Sequence, residues 1–131
     1  RSQAGAVVHL HSCHSVALSM LPDTDPENFL PPLTPYGIMK LGKVRLLPYF
    51  MPGDPAMGEA VRGLAGKRTA VMLANHGPVV AGKDVEAACN AIEELEDTAR
   101  LALMLRGMNA RALTDAHVQA LVTKFDVEWD D

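Results

Sequence analysis

Thr69-Ala70-Val71-Met72-Leu73-Ala74-Asn75-His76-Gly77-Pro78-Val79-Val80-Ala81-Gly82-Lys83-Asp84 carries the densest run of structural signals in the chain. Two apolar runs, Thr69 to Asn75 and Pro78 to Ala81, read as strands on either side of His76-Gly77, which puts His76 at the tip of a tight connection. Asp84 is a suitable N-cap for the longest helix, whose apolar stripe is Val85, Ala88, Cys89, Ile92, Leu95, Ala99, Ala102 and Leu103. Gly107 stops that helix, and a weaker helical pattern runs from Leu113 to Phe125. The last residues, Glu128-Trp129-Asp130-Asp131, read as a tail that frays or meets a neighbouring subunit.

Upstream, Ala6-Val7-Val8-His9-Leu10-His11 has the β-branched content and length of a buried strand. Period-two alternation turns His9 and His11 to one face and Val8 and Leu10 to the other. Ser12 is placed to cap a helix through Val16, Ala17 and Met20 that Pro22 closes. Prolines 22, 26, 31, 32 and 35 then exclude regular helix or central strand, leaving a long, stiff loop of the kind that often carries function. A short helix over Tyr36 to Leu41 is expected next, followed by a strand over Val44 to Tyr49. Pro52-Gly53-Asp54 then makes a turn into a helix that ends near Gly63 or Gly66.

With 131 residues and 48% hydrophobic content, the chain has material for one core, so residues 1–131 read as one domain rather than a disordered tail. Twelve Lys+Arg against 16 Asp+Glu give a net charge of -4, with the basic residues spread out, which argues against a nucleic-acid partner. No apolar run approaches the roughly 20 residues of a membrane span, and no signal-peptide pattern follows Arg1 to Gln3, so a soluble protein without a membrane partner is expected. Cys13 and Cys89 form neither a CxxC motif nor a disulfide framework, which fits a reducing, cytoplasmic setting. The chain opens without an initiator methionine directly into a strand-like run, and it reads as a C-terminal fragment whose N-terminal portion is missing.

Histidines carry the chemistry. A His-x-His pair on one strand sets two imidazoles roughly 6 to 7 Å apart on one face, within reach of one ion. Alone, the pair fits a metal clamp or two strand histidines that pack or hydrogen-bond. His76 on a separate Gly-bounded turn shifts the balance, because three imidazoles with an open fourth position make a catalytic zinc site, whereas a structural site is usually closed by Cys. His14 fits a substrate-facing or core role better than a fourth ligand, and His117 reads as a surface residue. Tyr36 alone reads as a packing tyrosine, and Glu93, Glu94, Glu96 and Asp97 read as a solvated helix face. Lys40, Lys43 and Arg45 are a weak signal for a phosphate.

These stretches, with Leu30-Pro31-Pro32-Leu33, Pro48-Tyr49, Gly53 and the long helix bearing Glu93 and Glu96, resemble the class II aldolase/adducin family from residue 4 to about 107. Within that family, Leu30 to Tyr36 and Leu64-Ala65-Gly66-Lys67 look most like 3-oxo-tetronate 4-phosphate decarboxylases. The resemblance implies a three-layer α/β/α domain around a central, mostly antiparallel sheet, assembled as a homotetramer with sites at subunit interfaces. It implies His9, His11 and His76 as ligands of one Zn2+ per subunit, and Tyr36 as a proton donor that reaches the site, typically from an adjacent subunit. The family's catalytic glutamate and phosphate-holding loops would lie upstream of Arg1. The implied activity is a zinc-dependent carbon–carbon lyase converting 3-oxo-tetronate 4-phosphate, a sugar-acid phosphate, to dihydroxyacetone phosphate and CO2 through a metal-held enediolate. A fuculose- or ribulose-phosphate type aldolase or an epimerase of the same family is the alternative in chemistry. A non-catalytic adducin-like binding module is the alternative in class, and it gives no reason for an open three-imidazole site.

Overall fold

The computed structural model describes residues 4–129, so Arg1 to Gln3, Asp130 and Asp131, with the expectations that fall on them, lie outside the described residues. In chain order the elements are β1 (Ala6–His9), α1 (Cys13–Ser19), α2 (Pro35–Leu41), β2 (Arg45–Leu47), α3 (Pro55–Arg62), β3 (Ala70–Leu73), β4 (Gly77–Gly82), α4 (Val85–Leu105) and α5 (Asp115–Phe125). The strands form one sheet in the order β1-β4-β3-β2. β4 pairs antiparallel with both β1 and β3, and only β2 joins in parallel, so the sheet is mostly antiparallel as expected.

Alternation along the strands assigns the two faces. Val8 pairs with Val80, and Val80 with Ala70, and this row faces α4, where Ile92, Leu95 and Ala99 close over it. Val80, Leu95 and Ala99 are fully enclosed, each such Val or Leu side chain being worth about 1.5–3 kcal/mol of burial. α1 packs beside α4 on that side. On the opposite face Val7, Val71, Val79 and Ala81 meet Val61, Leu64 and Ala65, from the end of α3 and the turn after it, around a cavity of about 180 Å³. Helix, sheet and helix thus make the three layers.

Several elements are shorter than the sequence suggests. β1 stops at His9: Leu10 N–H still donates to Pro78 O at 3.3 Å, in register, but proline has no N–H to return the second bond of the pair. β2 keeps only three residues, and β3 ends at Leu73, with Asn75 in a left-handed turn conformation (φ 62°) rather than in a strand. Asp84 caps α4 by accepting from Ala87 N–H at 2.7 Å, as expected, but Val85 is 65% exposed and lies off the apolar stripe.

The proline-rich stretch between α1 and α2 is ordered by the core. Phe29 is 2% exposed, its N–H donates to Val44 O at 2.8 Å, and Pro26 O accepts from Leu46 N–H at 2.8 Å along the outer edge of β2. The tail also folds inward: Glu128 O accepts from Lys43 N–H at 3.3 Å, and the Lys43 ammonium lies 5.6 Å from the Trp129 ring centre. Glu128 and Trp129 therefore pack on this chain's own α2–β2 corner instead of fraying.

Candidate metal centre

His9, His11 and His76 come together at one rim of the sheet, each offering a nitrogen within 4.8 Å of the others. Their ring centres stand 5.1, 4.9 and 4.9 Å apart. His9 arrives on β1, paired with Val79 and projecting away from α4. His11 follows two residues later, outside the strand, and His76 comes from the β3–β4 turn, as its position before Gly77 suggests.

Local backbone contacts hold this convergence in place. A Cβ on Gly77 would stand 1.9 Å from Leu10 O, so only glycine lets the His76 turn lie against the segment between His9 and His11. Pro78 O accepts from His9 Nδ1 at 2.9 Å and also from Leu10 N–H. The first bond puts the His9 proton on Nδ1 and leaves the Nε2 lone pair free. Ser19 Oγ on α1 accepts from Asn75 N–H at 3.0 Å and ties the turn to the helix.

This donor set suits a metal ion. His9 Nε2 and His76 Nε2 are 3.2 Å apart, close to the roughly 3.3–3.4 Å between two ligands of a tetrahedral ion held at 2.0–2.1 Å. Burial and the facing charges of His9 and His11 lower the His76 pKa below its ordinary value, favouring the neutral imidazole that a metal needs. The rim is open: His9 and His11 are exposed, and an adjoining cavity of about 640 Å³ is lined by His11, Cys13, Met20, Tyr49, Asn75 and His76, among others.

Tyr36 does not join the three histidines within this chain. It sits 59% exposed in the first turn of α2 and does not line that cavity. His14 turns elsewhere too, its Nδ1 lying 2.9 Å from Glu96 Oε2. His117 is exposed, as expected, and closes a capping box with Thr114 at the start of α5. The three basic residues do not assemble an anion site: Arg45 pairs with Glu27 at 2.9 Å, Lys43 lies over Trp129, and Lys40 is exposed on α2.

Glu96 departs most from the sequence reading. Instead of belonging to a solvated face, it is partly buried and accepts from His14 N–H at 3.0 Å and Ser15 N–H at 2.8 Å. The Ser12 side chain makes no cap bond, so the start of α1, immediately after His11, is capped from α4. Burial pushes the Glu96 carboxyl up, but the donors from His14 and Ser15 outweigh it and leave its pKa below the ordinary value. Nothing local announces this role; the only cue is that one acid of the run falls a single residue after the buried Leu95.

The class of protein is now defined: an α/β fold with three imidazoles converging at one sheet rim, a donor set for a divalent metal. Residues 1–103 match the class II aldolase and adducin N-terminal domain, and the chain belongs to that family. The 3-oxo-tetronate 4-phosphate decarboxylase of Haemophilus influenzae is 48% identical over 118 residues, which is 88% of this chain and 55% of that protein. The chain thus spans about half the length of the curated relatives it matches. YgbL of Klebsiella pneumoniae, described as an aldolase, epimerase or decarboxylase, superposes with a TM-score of 0.89 at 45% identity, covering 92% of this chain and 58% of that one. An L-fuculose 1-phosphate aldolase superposes with a TM-score of 0.73 at 25% identity, covering 96% and 57%.

Proposed function

We propose that the protein is a zinc-dependent carbon–carbon lyase that decarboxylates 3-oxo-tetronate 4-phosphate to dihydroxyacetone phosphate and CO2. The observation that carries this reading is the convergence of His9, His11 and His76, supported by 48% identity to a decarboxylase of that name. The three histidines hold the ion, which when bound supplies a Lewis acid that draws charge onto a carbonyl oxygen. His9 keeps its proton on Nδ1, against Pro78 O, throughout. The wall next to His11 and His76 is largely apolar, with Val16, Ala17, Met20 and Pro52. As the bond to the carboxylate breaks, its electron pair stays on the neighbouring carbon, and the Tyr36 hydroxyl of an adjacent copy donates a proton there. The exposure of Tyr36, away from its own chain's histidines, supports that arrangement.

Zinc is the proposed metal, one per subunit, because three imidazole donors select a borderline ion. The proposed setting is a cytoplasmic homotetramer, in which residues 1–131 act within one domain. Cys13 and Cys89, both free, are in keeping with a reducing compartment. A sugar-phosphate aldolase is the second reading, favoured by the likeness to L-fuculose 1-phosphate aldolase.

Carbon dioxide release from 3-oxo-tetronate 4-phosphate by the full-length, zinc-loaded protein tests the proposal. Turnover is expected, with His76→Ala abolishing it and Tyr36→Phe keeping the metal while losing rate. Cleavage of fuculose or ribulose phosphates without release of CO2 would overturn the decarboxylase reading in favour of the aldolase.

A further inference from the structure

The turn that delivers His76 carries a second polar side chain with no assigned task. Asn75 has φ 62°, and among the described residues the only other non-glycine with positive φ is Asp126, at the C-terminal end of α5. Its backbone has a structural explanation: the N–H donates to Ser19 Oγ at 3.0 Å, and the left-handed conformation lets the chain reverse into Gly77. Glycine would meet that backbone need at least as well. The side chain is exposed and lines the same cavity of about 640 Å³ as His11 and His76, and among the described residues its carboxamide has no protein hydrogen-bond partner, which leaves it available to a ligand there.

We infer that Asn75 is a substrate-binding residue, its carboxamide hydrogen-bonding a carboxylate or hydroxyl oxygen of a hydroxy- or oxo-acid held beside His11 and His76. A carboxamide both donates and accepts without charge, so it suits a ligand rich in carboxylate and hydroxyl oxygens. The αL backbone, held by Ser19 from α1, fixes the direction from which the short side chain approaches the ligand, which favours binding. The inference rests on the proposed function for its choice of ligand class, and on the structure for the residue.

The test uses full-length, zinc-loaded protein and a non-reacting probe, erythronate 4-phosphate, with binding measured by calorimetry. Asn75→Gly keeps the left-handed turn and removes only the carboxamide. Its expected effect is a loss of affinity of about 10- to 100-fold, the ratio corresponding to one hydrogen bond to a charged group, with zinc content and melting temperature held. Asn75→Asp also tolerates the turn but sets a negative charge against an anion, and is expected to bind still more weakly. Asn75→Ala, which strains the turn, should melt lower than Asn75→Gly and so separates the backbone role from that of the side chain. Wild-type affinity in Asn75→Gly, or no binding by the wild type, would overturn the inference. Binding that Asn75→Gly loses, together with no CO2 release by the wild type, would reject the decarboxylase reading while leaving the assignment of Asn75 in place.

Discussion

The two sides of β4 are built on different principles. Toward α4, Val80 disappears among Met72, Ile92, Leu95 and Ala99, and shape and apolar area hold the layers together. Toward the other face and the rim, Val7 is 64% exposed, the histidines are largely open, and single hydrogen bonds fix the geometry. The anchors are Pro78 O for His9, Ser19 Oγ for the turn and the Glu96 carboxylate for the segment after His11. Stability and site geometry are therefore separable in this protein: damage to the packed side should show in melting, and damage to the rim in metal and ligand binding.

Leu95→Ala should have the largest effect on stability. The side chain is fully enclosed at the centre of the packed face, so its truncation is expected to cost about 2–5 kcal/mol, read as a shift in denaturation midpoint. Folded protein should still bind metal with unchanged stoichiometry. Lost metal in a fully folded Leu95→Ala variant would break the separation between the two sides.

Glu96→Gln should act on both sides, more weakly on stability. It replaces a charged acceptor that holds two N–H groups of α1 and the His14 ring, with an expected cost of about 1–3 kcal/mol, and it should loosen metal affinity through the neighbouring His11. Because the folded-state pKa of Glu96 lies below its ordinary 4.5, the stability it contributes is complete above that value and is lost as pH falls through the lowered one. The gap in stability between wild type and Glu96→Gln should therefore be widest near neutral pH and narrow in acid. A gap that stays constant across that window would show that the carboxylate charge is not what caps α1.

The same division explains what was legible in the sequence. The β3–β4 connection and α4 announce themselves through alternation, the 3.6-residue stripe and the Asp84 cap, all of which are local signals. The three histidines were legible because a His-x-His pair and a Gly-bounded His are themselves local motifs, and the fold brings them together. The Glu96 cap was not legible, since it joins residues 81 and 82 positions apart and a charge run carries no mark of its distant partners. Phe29 was hidden for a similar reason: prolines identify a loop but not the core it plugs. Fraying does not hold for Glu128 and Trp129, which find their partners on the α2–β2 corner, far upstream in sequence. Ser12 takes the N-cap position that the sequence assigns it, but its side chain makes no cap bond, and the Glu96 carboxylate from α4 accepts from the N–H groups of His14 and Ser15 instead.

The most direct test of the metal centre is elemental analysis of the purified full-length protein beside its His9→Ala variant. About one zinc per subunit, lost in a variant that still folds but melts lower for want of the bound ion, is the expected result. No bound metal in the wild type, or zinc retained undiminished in His9→Ala, would contradict a three-histidine centre at this rim.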